Sequence, residues 1–367
     1  MSTNQVHLWL REETKPMEHR ACLSPEVCKK LVDAGFQITV ECDKNRIFED
    51  AEYSAVGCRL VPGNSWRTAP SDAIITGLKE LPENDLTPLP HTHIMFAHCY
   101  KRQGGWKDVL SRFSNGKGLL YDLEFLQDAS GRRVAAFGFY AGFTGSAVGI
   151  DAWCHQQLHP GTAYPEITPY PNEDVLIAET KAKLAKIGKF PKVMVMGALG
   201  RCGSGAVSYA RKAGIPEENI IKWDMAETAK GGPFQEIIDA DIFVNCIYLS
   251  SQIPAFITQE QIDGERQLSV IVDVSCDTTN PFNPIPIYNV NTTFDKPLLD
   301  IETKNPKPLQ LCSIDHLPTM LPREASNQFA TDLLPTLMQL PERDTAPVWA
   351  GAEALYNEKV ASMATTD

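Results

Sequence analysis

Apolar and polar positions alternate between two rhythms along this chain. Short apolar runs of strand length stand at residues 6–10 (VHLWL), 38–42 (ITVEC), 72–77 (DAIITG), 93–97 (HIMFA) and 118–122 (GLLYD). Others follow at 192–197 (KVMVMG), 219–224 (NIIKWD), 240–249 (ADIFVNCIYL) and 269–277 (SVIVDVSCD). Between them apolar residues recur at helical spacing. Val27, Leu31 and Val32 make one stripe behind Ser24-Pro25, an N-cap serine followed by proline at the first helical position, and Gly35 closes it. Trp106, Val109, Leu110 and Phe113 make a second, stopped at Asn115-Gly116. The Gly- and Ala-rich residues 138–158 predict a long helix packed closely on both halves of the molecule. A proline-rich stretch at 160–171 and a polar helix to about residue 189 follow, then a helix at 206–214 and terminal helices beyond residue 323.

This order predicts an α/β protein of two Rossmann-like lobes with parallel sheets, separated by a cleft that holds the active site, with C-terminal helices returning to the first lobe. A chain of 367 residues exceeds one ordinary core. The expected division is residues 1–137 with 325–367 as a substrate and catalytic domain, and 138–324 as a nucleotide domain.

Composition narrows the partners. The net charge is −12 and no Lys/Arg-rich block occurs, which argues against nucleic acid and anionic membrane as partners. No apolar run reaches the length of a membrane span, and neither a secretory pattern at MSTNQVHLWLREE nor a peroxisomal address at MATTD is present, so a cytoplasmic enzyme is expected. The ten cysteines include no CxxC pair, and in a reducing compartment they are expected to be mostly buried thiols.

The strand at 192–197 runs into Gly197-Ala198-Leu199-Gly200-Arg201-Cys202-Gly203-Ser204-Gly205. The spacing is GxxGxxG rather than GxGxxG, but a strand precedes it, a helix follows, and Asp224 ends the next strand about twenty residues on. Glycines let a pyrophosphate approach the backbone, and the helix N-terminus supplies amide donors. An acid at the second strand end accepts bonds from ribose hydroxyls and repels a 2′-phosphate, so NAD is expected over NADP. Arg201 is assigned to the pyrophosphate. Cys202 and Cys246 follow strands that neighbour each other in a doubly wound sheet. They read either as buried thiols or as a pair that closes on oxidation.

Lys79, Glu80, His98 and Glu124 stand just past three strands, where parallel sheets bind ligands, and are the candidates for acid–base work. A lysine acts as base only where burial or charge favours its neutral form, whereas histidine titrates in the useful range. Arg20, Arg132 and Arg133 are candidate carboxylate clamps. His91 and His93 with His98-Cys99 invite a metal reading, but no third ligand is convincingly spaced, and no metal is expected.

The stretches LREETKPMEHRACLSPE, GLKELPEND, HIMFAHCYK, GRRVAAFGFYAGFTG, GALGRCGSGA, KWDMAETAKGGPF, NCIYLS, VDVSCDTTNPFNPIPIY and SIDHLPTMLPREAS closely resemble the fungal, NAD-dependent, lysine-forming saccharopine dehydrogenases, from near residue 6 to about residue 350. The resemblance implies a fold related to alanine dehydrogenase and the last step of the α-aminoadipate route to lysine. In that step saccharopine, NAD⁺ and water give lysine, 2-oxoglutarate and NADH. It implies that Lys79 deprotonates the amine, that His98 handles the water and carbinolamine protons, and that Glu80 and Glu124 tune the two. It further implies substrate contacts from Arg20, Lys79, Arg133, Phe137, Ser275, Cys276 and Asp277, with Cys276 replacing an expected alanine. Gln103, Arg132, Gly200, Arg201, Asp224, Thr228, Tyr248, Val274, Asp315, His316, Leu317 and Pro318 are implied on the nucleotide side, and Cys202 with Cys246 as a pair able to form a disulfide. A monomer acting on saccharopine, lysine and 2-oxoglutarate is expected. An alanine-dehydrogenase-like deaminase, an NAD-binding module without turnover and a thiol-redox regulator are the competing readings.

Overall fold

In the computed structural model, which describes residues 5–82, 84–276, 278 and 280–365, the chain divides into two compact units. The first is Met1–Ala136 with Pro322–Asp367 and the second is Phe137–Leu321.

The first unit is built on a six-stranded parallel sheet in the order β3-β2-β1-β4-β5-β6. Its strands are β1 His7–Leu10, β2 Gln37–Glu41, β3 Arg59–Val61, β4 Ile74–Thr76, β5 Thr92–Met95 and β6 Leu119–Asp122. Every residue of β1 and β4 is buried, as expected for strands covered on both faces. Helix α1, Pro25–Asp33, starts where Ser24 accepts a bond from the Val27 amide at 3.3 Å, and buries Val27, Cys28 and Leu31. The short α2, Asp50–Ser54, follows β2. Helix α3, Trp106–Gly116, ends one residue later than Asn115-Gly116 suggests. Lys117 takes the left-handed position at φ 61°, and Gly116 has another duty. A Cβ on Gly116 would lie 2.3 Å from the Leu89 carbonyl oxygen, so the glycine lets the end of α3 pass the β4–β5 connection.

The second unit opens with α4, Gly138–Leu158, followed by α5, Glu173–Ile187. Strand β7, Val193–Met196, leads through the glycine loop into α6, Arg201–Lys212, which begins just after its cap Gly200 and five residues before the expected start. Then come β8 Ile220–Trp223, α7 Met225–Thr228, α8 Gln235–Asp239, β9 Ile242–Asn245, α9 Gln259–Asp263, β10 Val270–Asp273, β11 Leu299–Asp300 and β12 Gln310–Cys312. The sheet order is β11-β12-β10-β9-β7-β8, parallel throughout except for the antiparallel edge strand β11.

Small residues on α4 set how α6 packs. A Cβ on Gly142 would fall 1.8 Å from the Cys202 carbonyl oxygen, and one on Gly205 would fall 1.9 Å from that of Phe139. Each helix therefore touches the other's backbone through a glycine, which fixes the start of α6 against α4. Further along α4, Gly145 and Gly149 face Val274, Val272 and Ile242.

Beyond the second unit the chain re-enters the first as α10, Pro322–Leu337, and α11, Pro347–Ser362. The Ser326 hydroxyl accepts from the Ala21 amide at 2.9 Å, and Trp349, fully buried, packs on Tyr121 of β6 with ring centroids 4.8 Å apart.

Candidate active site

Because the first sheet is parallel, β1, β4, β5 and β6 all end on one rim, and the residues that follow them carry the candidate chemistry. After β1 the chain turns polar at Arg11. The Glu13 carboxylate is buried and accepts the backbone amides of Leu78, at 2.5 Å, and Lys79, at 3.0 Å. Arg11 bonds Glu13 at 3.3 Å and also reaches the Lys79 carbonyl. Gly77 makes room, since a Cβ there would lie 2.3 Å from the Arg11 guanidinium carbon. The turn presenting Lys79 is thus clamped from both sides by two buried charged residues. Burial pushes the Glu13 carboxyl up, against the opposing pull of Arg11 and the two amides.

Arg20 is buried and forms a fork on Glu18, with both contacts at 2.8 Å. Burial acts to raise the Glu18 carboxyl, but Arg20, Lys79 and hydrogen bonding prevail and hold it below the usual range. Arg20 is therefore not a free surface arginine. Lys15 pairs with Glu80 at 2.8 Å, and the His98 Nε2 stands 3.8 Å from the other Glu80 oxygen. Burial works to raise Glu80, yet the bond from Lys15 and the nearness of His98 leave it lowered. His98 itself sits in the left-handed region at φ 51°, an uncommon conformation for a residue with a side chain. Its side chain is 48% exposed, open to solvent rather than packed away.

At the end of β6, Asp122 accepts the Glu124 amide at 2.9 Å and the Ala97 amide, next to His98, at 3.3 Å. It ties the β5 and β6 ends together. Glu124 receives Lys101 at 2.6 Å and Arg133 at 2.9 Å. Arg132 and Arg133 are both exposed on the turn after Gly131. The apolar residues that follow turn inward, and Arg133 is held by Glu124 alone among the ion pairs of the described residues.

Burial raises the Asp122 carboxyl from its ordinary 3.8 to about 7. Between those values the folded state binds the extra proton, so Asp122's contribution to stability is full below about 4 and is lost as pH rises through about 7. On this principle the loss is on the order of 4 kcal/mol at most. Asp122→Asn removes that titration. Thermal melts between pH 4 and 8 are expected to show a shallower decline for the variant than for the wild type, and parallel curves would exclude the assignment.

A cavity of about 340 Å³ opens beside this rim, lined in part by Glu80, His98, Gln103, Asp108 and Arg112. Gln103 accepts the Lys101 amide at 3.0 Å. His91 bonds the Ala69 carbonyl at 3.1 Å, and His93 is wholly buried edge-on between Trp66 and Phe113. Burial drives the His93 ring well below the usual range, to the neutral form. Among the described residues no His, Cys, Asp and Glu cluster of three can hold a metal.

In the second unit the glycine loop has the shape a dinucleotide requires. Gly197 has φ 85°, and a Cβ on Gly203 would lie 2.0 Å from the Gly197 carbonyl oxygen, so the turn closes only with glycine. Gly200 caps α6, leaving the amides of its first turn, including that of Arg201, directed outward. Asp224 caps α7 and accepts the Leu199 and Met225 amides, each at 2.9 Å, which uses part of the carboxylate's capacity and leaves lone pairs for a ribose. Thr228 bonds back to the Asp224 carbonyl at 3.0 Å. Tyr248, 62% exposed, and Asp315 are open to solvent; His316 bonds Asp315 and lies edge-on to Phe294. Val274 packs at Gly145, and Leu317 and Pro318 are buried. Phe137 and Ser275 are half-buried, and Cys276 donates to the Ser313 carbonyl at 3.3 Å. Asp277 lies outside the described residues. Cys202 and Cys246 are free thiols that follow neighbouring strands, since β7 pairs with β9, and burial and the nearness of Cys202 push the Cys246 thiol up.

The clamp of Arg11 and Glu13, the partners Lys15 and Glu18 of Glu80 and Arg20, and the tie made by Asp122 are not among the residues the sequence alone points to. The signal is the dense charge of REExKxxE, residues 11–18, directly behind a buried strand, where solvated loop residues are the ordinary expectation.

Two doubly wound units, one bearing a glycine loop and an acid at the next strand end, define a nicotinamide-nucleotide dehydrogenase fold. The family model of the alanine dehydrogenase/PNT N-terminal domain matches residues 9–144. Two solved structures share the fold, which is all that identities this low establish. They are an L-alanine dehydrogenase, with TM-score 0.66, 14% identity and coverage of 96% of this chain and all of that one, and the transhydrogenase of Sinorhizobium meliloti, with TM-score 0.61, 17% identity and coverage of 92% and 94%. Relatives in sequence are much nearer. The saccharopine dehydrogenase [NAD(+), L-lysine-forming] of Yarrowia lipolytica is 60% identical over 98% of each chain, and that of Candida albicans is 56% identical over 99% of each. The chain belongs to this family of NAD-dependent, lysine-forming saccharopine dehydrogenases.

Proposed function

We propose that the protein oxidises saccharopine with NAD⁺ and water to L-lysine, 2-oxoglutarate and NADH, with Lys79 and His98 as its proton-handling groups. The observation that carries this reading is the clamped Lys79 turn standing beside the Glu80–His98 contact on neighbouring strand ends, in a chain so similar to enzymes of that name. Bound NAD⁺ supplies the hydride acceptor, and the Gly200–Arg201 amides, Asp224 and Thr228 are the groups suited to hold it. Lys79 takes the proton of the secondary amine. His98, with Glu80 as its acidic neighbour, draws the proton from the attacking water and returns one as the carbinolamine collapses. Arg20, Arg133 and Phe137 with Ser275, Cys276 and Asp277 bind the substrate's carboxylates and chain. Arginine suits planar carboxylates, and the three carboxylates of saccharopine account for arginines in an acidic protein. Gln103, Arg132, Tyr248, Val274 and residues 315–318 complete the nucleotide side. Reaction as a monomer in the cytoplasm is part of the same proposal. No helix among the described residues is long and apolar enough to cross a membrane.

The test is NADH oxidation followed by absorbance, with lysine plus 2-oxoglutarate against ammonia plus pyruvate. Oxidation that requires both lysine and 2-oxoglutarate is expected. Activity only with ammonia and pyruvate would replace the substrate with a simple amino acid.

A further inference from the structure

Two cysteines that play no part in the site above are set against each other in the first unit. Cys28 lies on the inner face of α1 and is fully buried, while Cys58, just before β3, keeps 6% of its surface exposed. The two thiols are close enough for each to act on the other's charge. The backbone that brings them together is fastened independently of either sulfur. Gly57 precedes Cys58, and a Cβ on it would lie 3.3 Å from Cγ1 of Val32, one helical turn beyond Cys28. The Cys58 amide bonds the Tyr53 carbonyl at 3.2 Å, and the Tyr53 hydroxyl bonds the Leu23 carbonyl at 2.7 Å, just ahead of α1. The 53–58 turn is thus pinned on α1 on both sides of the thiol contact.

We propose that Cys28 and Cys58 are an oxidisable pair that closes a disulfide when the protein meets a peroxide, separate from Cys202 and Cys246. The two thiols are unequal. The nearness of Cys28 outweighs burial and lowers Cys58, whereas the nearness of Cys58, with burial, raises Cys28. Cys58 is also the one that reaches the surface, so it is the attacking group. Its thiolate attacks one peroxide oxygen, the O–O bond breaks, and hydroxide leaves to take up the proton the thiol gave. Cys58 is then a sulfenic acid. The Cys28 sulfur attacks it, the S–O bond breaks as the S–S bond forms, and the oxygen leaves as water with the Cys28 proton. Two thiols are oxidised and one hydrogen peroxide is reduced to two waters.

Cys22 lies close enough for its charge to act on Cys28, so the test must separate the two. The full chain is treated with graded hydrogen peroxide, alkylated, and cut with trypsin and a glutamyl endopeptidase. Cleavage after Glu26 parts Cys22 from Cys28, and the peptides are read by mass spectrometry. The expected product joins the Cys28 peptide to the Cys58 peptide, and its yield rises with dose. In Cys28→Ser, Cys58 is expected as a sulfenic acid trapped by dimedone. In Cys58→Ser, Cys28 is expected as a free, alkylated thiol. Recovery of Cys28 as a free thiol in the wild type at every dose below the one that unfolds the protein overturns the proposal. So does a bridge from Cys22 in place of Cys58.

Discussion

Lys79→Met is expected to lower turnover of saccharopine by about a thousandfold, within the range that positioned acid–base groups contribute. NADH binding, followed by fluorescence, should stay within about twofold of the wild type. The glycine loop and Asp224 belong to the second unit, while Lys79 stands on the first. The backbone of the turn is held by Glu13 and Arg11 through main-chain atoms, so removing the ammonium leaves the clamp intact. Retained turnover, or loss of NADH binding, would refute the role given to Lys79. Exchange of the clamp itself should behave differently. Glu13→Gln keeps the shape and one acceptor, and is expected to lower turnover less than Lys79→Met does.

The second large effect is expected at a residue with no side chain. Gly142→Ala puts a methyl group where the Cys202 carbonyl oxygen stands, 1.8 Å away. Backbone cannot swing aside as a side chain can, so α6 must move off α4 or α4 must bend. A destabilisation of about 3 kcal/mol or more is expected from overpacking of this kind. Because the shift falls on the first turn of α6, NADH affinity should fall at least tenfold. Differential scanning fluorimetry and NADH titration check the two parts. An unchanged melting temperature with unchanged affinity would mean that the two helices do not meet as described.

Much of this fold is legible in the sequence because its strands are buried on both faces and read as continuous apolar runs. VMVM of β7 and VIVD of β10 are examples, both entirely buried. The glycine loop is legible for the same reason that Gly203 is required, since only glycine closes that turn. Helix ends were less legible. Gly116 reads as a stop, yet its glycine is needed to pass Leu89, a contact distant in sequence. The acids and bases after β4, β5 and β6 could be named from their position alone. Their supports could not, because a buried carboxylate such as Glu13 or Asp122 looks like a solvated one until its partners are known. The exposure of Arg132 and Arg133 is not legible for a related reason, since neighbours in sequence do not fix which way a turn faces.

The return of the chain to the first unit has a consequence for synthesis. Tyr121 of β6 is covered by Trp349, and Ala21 is bonded to Ser326. Every residue of the second unit lies between those partners in the chain. A ribosome therefore delivers the whole nucleotide-type unit before it delivers what completes the unit that began first. Until Trp349 emerges, the face of β6 bearing Tyr121 lacks its cover, and the nascent chain carries a finished domain beside an open one. Chaperones that shield apolar surface have their longest opportunity at the N-terminal part, and truncation within α11 leaves exposed the part of the protein made earliest.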